Sequence, residues 1–186
     1  AASQRPPRDP RRRAALTFVF VGAGYAGVEA LAELEDLARW ALKHMPEVGA
    51  DEPRWVLVEA RDEILPEIGG GLGAWAAREL AERGIEIKTG TRLDSVEGGV
   101  VRLSDGESFP AETLVWTAGV KPEPLAADSL LPVDDHGRLR VDPALRVQGL
   151  EGVVWAAGDA AAVPELEAGG FCPPSAQYAT RQGKRL

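Results

Sequence analysis

Six residues, Gly22-Ala23-Gly24-Tyr25-Ala26-Gly27, constrain the fold of this chain more than any others. They follow an uninterrupted run, Leu16-Thr17-Phe18-Val19-Phe20-Val21, whose β-branched and aromatic residues mark a strand buried on both faces. They precede Val28, Leu31, Leu34, Ala38, Leu42 and Met45, spaced for one stripe of a long helix that Pro46 ends. In such a strand-to-helix turn Gly22 permits the tight bend and Gly24 lets the backbone approach a pyrophosphate. Gly27 allows close strand–helix packing, and the helix N-terminus offers unpaired N–H groups to the anion. The plainer alternative is a tight turn without ligand. Glu59 speaks against it, because it closes the next buried run, Trp55-Val56-Leu57-Val58. A carboxylate there accepts both ribose hydroxyls of NAD and repels the 2′-phosphate of NADP; strand-end solvation is its plainer role. Its separation from Gly27 exceeds the usual roughly 20 residues because the first helix is long. Arg61 is either a 2′-phosphate contact or a solvated surface arginine, the latter being preferred.

Further elements complete an α/β pattern. Gly70 to Arg83 reads as an amphipathic helix capped by Gly84, and Ile85-Glu86-Ile87-Lys88 as a third strand. Gly98-Gly99, Ser104-Asp105-Gly106 and the short runs around them predict a three-stranded meander. Thr113–Thr117 returns to the buried-strand pattern and ends at Ala118-Gly119. Val153-Val154-Trp155-Ala156 predicts one more buried strand, running into Gly158-Asp159. Asp159 there either meets a cofactor hydroxyl, with a following helix N-terminus near a phosphate, or caps that helix. A last helix is expected from Ser175, with the chain stopping inside it. Residues 1–16, rich in Pro and Arg, read as a linker, and 121–140, with Pro122, Pro124 and Pro132 and few apolar clusters, as an inter-domain crossing.

Composition removes several functions. The 186 residues are 45% hydrophobic and 27% charged, a globular mixture, and the net charge of −8 argues against nucleic-acid binding. A lone cysteine, Cys172, leaves no intrachain disulfide or Cys-x-x-Cys pair, and His44 and His136 lack metal-ligand spacing, so no metal is expected. No apolar run approaches the roughly 18 residues of a membrane span, and no signal-peptide core follows the opening arginines, so a cytoplasmic protein is expected.

Five stretches in order resemble the type II NADH:quinone oxidoreductases, flavoproteins with two dinucleotide-binding domains. They are residues 18–29, 58–66, 114–122, 154–159 and 174–179. The resemblance implies a Rossmann-like NADH-binding domain over 17–122, with a parallel sheet and inserted meander, and over 123–186 the returning segment of an incomplete FAD-binding domain. Hydride would pass from NADH to FAD, and electrons onward to a quinone. It implies that Gly22, Gly24, Gly27 and Glu59 hold NADH, with Gly119 near the nicotinamide end. Gly158 and Asp159 would bind FAD at its ribityl chain, and Gln177 would lie beside flavin and quinone. Glu29 matches a glutamate with a proton-handling role, although an acid in a first helical turn is also stabilised by the helix dipole. Arg181 departs from the pattern where a second Gln is usual, which puts a quinone-side role for it or Gln182 in doubt. The resemblance further implies a first FAD-binding strand upstream of Ala1 and an amphipathic membrane anchor beyond Leu186. On that reading the chain is an inactive NADH-binding fragment. Its parent is peripheral to the membrane on the cytoplasmic face, with a homodimer among the assemblies it allows. The alternatives are another FAD-dependent NAD(P)H reductase, of the ferredoxin-reductase kind, and a non-catalytic nucleotide-binding module.

Overall fold

In the computed structural model, which describes residues 5, 6, 8–68, 71–167 and 169–186, the first element is not the first strand. A short helix, α1 (Pro10–Ala15), occupies part of the segment expected to be a linker. Asp9 caps it by accepting from the Arg11 N–H at 2.9 Å, and Pro10 opens it. Buried Arg12 ties it down, donating to both Glu52 carboxylate oxygens at 2.6 and 2.7 Å and to the Arg5 and Glu47 carbonyls. Six residues are too few to display a helical period, so the sequence pattern did not announce this helix.

The apolar run that follows is β1 (Thr17–Val21), and the glycine turn leads into α2 (Tyr25–Leu42). Then come β2 (Arg54–Val58), α3 (Leu72–Glu82) and β3 (Ile85–Lys88). Gly70, expected to open α3, lies outside the described residues. Gly84, at φ 85°, ends α3 in the left-handed conformation that an L side chain resists. The meander β4 (Leu93–Ser95), β5 (Val100–Leu103) and β6 (Ser108–Pro110) intervenes before β7 (Thr113–Trp116).

Strands β3-β2-β1-β7 pair in that order, all parallel, with Phe20 opposite Leu57 and Val115, and Val19 opposite Val56 and Leu114. Alternate residues therefore face two cores. Phe20 and Leu57 pack with Leu31 of α2 and Leu80 of α3, while Val19, Val21, Val56 and Val58 pack with Val101, Leu103 and Phe109 of the meander. With helices on one face and a meander on the other, β1 and β2 have no wet side, which is why they read as continuous apolar runs. Each large side chain buried this way contributes about 1.5–3 kcal/mol. The strand order reverses at β1, since β2 and β3 build out on one side and β7 returns on the other. The carboxyl ends of β1 and β7 thus flank a topological switch point, where open α/β sheets take their ligands.

The chain divides into two compact units, Ala1–Gly119 and Val120–Leu186. The second contains α4 (Leu125–Asp128), β8 (Leu139–Arg140), β9 (Ala161–Ala162) and α5 (Ala176–Gly183), around Leu139, Val141, Leu145, Val147, Ala156, Ala161 and Val163. Three expectations are corrected here. Val153–Ala156 is not a buried strand: Val153 ends a turn, its N–H donating to the Leu150 carbonyl at 3.0 Å, a single bridge joins Trp155 to Arg146, and Val153 and Trp155 are 75% and 46% exposed. Only its alternate residues Val154 and Ala156 reach the core. Asp159 does not lead directly into an α-helix: it sits in a one-turn 3-10 helix, Gly158–Ala160, before β9. The last helix has its expected cap, with the Ser175 hydroxyl accepting from the Tyr178 N–H, but ends at Gly183 rather than running off the chain.

Candidate functional site

At the switch point the glycine turn has the close contacts its sequence promised. Gly22 has φ 101°, and a Cβ on it would lie 2.7 Å from the Ala118 nitrogen. A Cβ on Gly27 would lie 1.8 Å from the Gly22 carbonyl oxygen and 2.7 Å from Thr117 Oγ1, so only glycine fits. Gly24 is the N-cap of α2, and its carbonyl accepts from the Val28 N–H at 3.0 Å. The N–H groups of Tyr25, Ala26 and Gly27 therefore precede the helical ladder, at the positive end of the helix dipole.

Glu59 stands beside this turn. Its Oε2 accepts from the Ala23 N–H at 2.7 Å and its Oε1 from the Arg61 N–H at 2.9 Å. Two of about four carboxylate lone-pair sites are thus used inside the protein, and the rest remain for other donors. The carboxylate both shapes the turn and is half-exposed at the end of β2. Thr117, just beyond β7, adds a link that sequence reasoning missed. Its hydroxyl lies 2.9 Å from both the Val21 and Gly22 carbonyls, with its own N–H donating to Val21. The signal for it was present, a hydroxyl residue at the end of the strand that closes the switch point. Gly119 follows at φ 71° and is exposed, as is Glu29 in the second turn of α2.

The remaining candidates lie in the second unit. The Gly158 N–H donates to Gln182 Oε1 at 2.8 Å, so Gln182 holds the Gly158 turn against α5. The cleft between that turn and α5 has a volume of about 10 Å³, room for about one water. The Asp159 and Gln177 side chains are exposed. Cys172 is half-buried, and desolvation together with the adjacent Glu165 carboxylate pushes its thiol above the ordinary range. Glu165 also accepts from the Tyr178 hydroxyl at 3.0 Å. Among the described residues no group of three or more His, Cys, Asp or Glu side chains is placed to hold a metal ion, and no helix is long and apolar enough to cross a membrane. Structure thus gathers Gly22, Gly24, Gly27, Glu59 and Gly119 at one switch point, and Gly158, Asp159 and Gln182 at one turn.

Residues 3–183 match the sequence family described as pyridine nucleotide-disulphide oxidoreductase. The chain is 38% identical over 165 residues to the type II NADH:quinone oxidoreductase Ndh of Mycobacterium tuberculosis, covering 83% of this chain and 35% of that protein. It is 33% identical over 176 residues to a probable NADH dehydrogenase of Dictyostelium discoideum, covering 94% and 38%. Among solved structures, an FAD-dependent pyridine nucleotide-disulphide oxidoreductase from Desulfovibrio vulgaris superposes with a TM-score of 0.71 at 28% identity, covering 91% of this chain and 41% of that one. The chain spans little more than a third of the length of these curated relatives.

Proposed function

The chain belongs to the pyridine nucleotide-disulphide oxidoreductase family, and on that premise we propose that its first unit binds NADH, as part of an FAD-dependent NADH:quinone oxidoreductase. One observation carries this reading: the Glu59 carboxylate sits at the end of β2 against a glycine turn that tolerates no side chain at Gly27. The fit to a dinucleotide is chemical. Gly24 and the first turn of α2 present N–H groups to a pyrophosphate, and the spare lone pairs of Glu59 accept the ribose hydroxyls. Gly119 borders the nicotinamide end. The same carboxylate repels a 2′-phosphate, which selects NADH over NADPH.

FAD, when bound, supplies the hydride acceptor that no side chain provides. Asp159 would hold its ribityl chain, with the Gly158 turn set in place by Gln182. Gln177 presents a neutral amide that donates to a quinone carbonyl without burying a charge. Glu29 would handle a proton near the nicotinamide. The names of the relatives support the quinone acceptor. A parent peripheral to the membrane on its cytoplasmic face, and a homodimer, belong to the same proposal.

Titration of NADH and NADPH against the wild type and Glu59→Ala tests the first step. Hydrogen bonds to a charged carboxylate are worth about 1.5–3 kcal/mol, so NADH should bind the wild type roughly ten- to hundredfold more tightly than it binds the variant. Equal affinities of the wild type for the two nucleotides would remove the assignment. For the parent enzyme, Gln177→Ala should slow quinone reduction more than flavin reduction by NADH, and stopped-flow resolution of the two half-reactions decides it.

A further inference from the structure

The segment after β2 folds back over the glycine turn and is held at three points. The Arg61 N–H donates to the Glu59 carboxylate at 2.9 Å, and the Leu65 N–H to the Ala23 carbonyl at 2.8 Å. The Ile64 carbonyl abuts α3, where a Cβ on Gly73 would lie 2.5 Å from it. Leu65 adopts a left-handed φ of 51°, and Glu67 lies back over the entry to α2. Glu67 Oε1 lies 3.5 Å, and Oε2 4.0 Å, from the point where a Cβ on Gly24 would stand. Its ion-pair partner is Arg61, at 3.7 Å, with side-chain exposures of 65% for Arg61 and 31% for Glu67. A carboxylate thus occupies the approach to the residue whose missing side chain admits a pyrophosphate.

We propose that Glu67 is a charge gate on the nucleotide site, and that Arg61 exchanges Glu67 for the phosphates of the entering nucleotide. This rests on the NADH reading above and adds which residues set the affinity. A pyrophosphate brings two negative charges beside a third, and the chain as a whole carries −8. Solvent-exposed ion pairs such as Arg61–Glu67 hold weakly, so separating them costs little. The planar guanidinium gains better geometry on phosphate, where two N–H groups donate in parallel, than in one long contact to a carboxylate. The gate makes NADH affinity lower than the glycine turn alone would allow, and salt-sensitive.

Glu67→Gln keeps the shape and removes the charge. In the present chain it should tighten NADH about three- to tenfold at low ionic strength, the scale of one unit charge at this range in a mostly aqueous setting. The gain should shrink toward none near 1 M salt. Adenosine, which has no charge, should bind the wild type and Glu67→Gln alike. Arg61→Gln should weaken NADH and leave adenosine unchanged. Circular dichroism confirms that each variant is folded. If Glu67→Gln binds NADH no tighter than the wild type, or tightens adenosine equally, the gate is wrong while the NADH assignment stands. If the wild type binds no NADH at all, the assignment fails and takes the gate with it.

Discussion

The two units solve the same problem, keeping backbone polar groups paired around a small apolar core, by different means. The first does it with a sheet: four parallel strands in register and two cores on opposite faces. The second has two-residue strands β8 and β9, isolated bridges such as Val141 to Val147, and turns stapled by side chains. Asp134 accepts from the His136 and Arg138 N–H groups and pairs with the Arg138 guanidinium; Asp142 repeats the device with Ala144 and Arg146. The lesson is where each unit is brittle. A sheet-built unit fails where backbones touch, and a stapled one where a carboxylate is removed.

One substitution made in both units gives the largest contrast. Gly27→Ala drives a methyl into the Gly22 carbonyl and should cost more than about 3 kcal/mol, unfolding the first unit or leaving it unable to bind nucleotide. Gly158→Ala meets Ala179 without a clash, its methyl at 3.4 Å and its Cα at 3.9 Å, with φ 69° to be strained, and should cost about 1–2 kcal/mol. Urea unfolding followed by hydrogen exchange in each unit measures both; equal costs would erase the distinction between a backbone contact and a side-chain one.

Removal of a carboxylate comes next. Buried Glu35 on α2 pairs with Arg39 at 2.5 Å and with Arg83 at the end of α3. Glu35→Gln leaves two guanidiniums facing a neutral amide and should cost about 2–4 kcal/mol, reduced from the fully buried case because Arg39 is exposed. In the second unit Asp134→Ala frees the turn it staples and should cost about 1–2 kcal/mol. If the second exceeds the first in chemical denaturation, the stapled unit is the more tightly held of the two.

The acid limb of stability separates carboxylates within the first unit. The Arg12 guanidinium, with help from the Gly49 N–H, holds the Glu52 carboxyl down at about 2, against an ordinary 4.5. A depressed folded-state value means stabilisation that is complete above about pH 4.5 and is lost as pH falls toward 2. Glu52→Gln should therefore lower stability at neutral pH and flatten its decline between those values. Unchanged curvature in pH-dependent urea midpoints would show that the α1 anchor adds nothing to stability.

The smallest effect is expected at Cys172. Burial and the neighbouring Glu165 raise its thiol, so thiol reagents should modify it slowly near pH 8, and Cys172→Ser should change stability by no more than about 1 kcal/mol. Rapid modification would point to an activated sulfur and a different role for the second unit.

Much of the first unit was legible because its signals are local. A continuous apolar run is what a strand covered on both faces looks like, as in a parallel sheet flanked on each side, and Gly22, Gly24 and Gly27 state the demands of a turn within six residues. The second unit was harder to read for the same reason inverted. Val153-Val154-Trp155-Ala156 has the composition of a buried strand, yet a strand needs neighbours, and one bridge to Arg146 is what this segment has within its unit. Both readings of Asp159, a cofactor contact and a helix cap, place a helix directly after it, whereas here the chain turns directly into β9.

The sequence by itself determined the strand–turn–helix unit, the placing of Glu59 at the end of β2 and the alternation of strands with helices. These follow from periodicity, β-branching and backbone freedom, which act over a few residues. Tertiary structure alone decided that Glu59 clamps Ala23, that Thr117 binds the Val21 and Gly22 carbonyls, that Arg12 anchors a helix to Glu52, and that Gln182 holds Gly158. Each joins residues 24 to 96 positions apart. Which distant polar groups meet is chosen by how the apolar elements pack, and no short stretch of sequence carries that information.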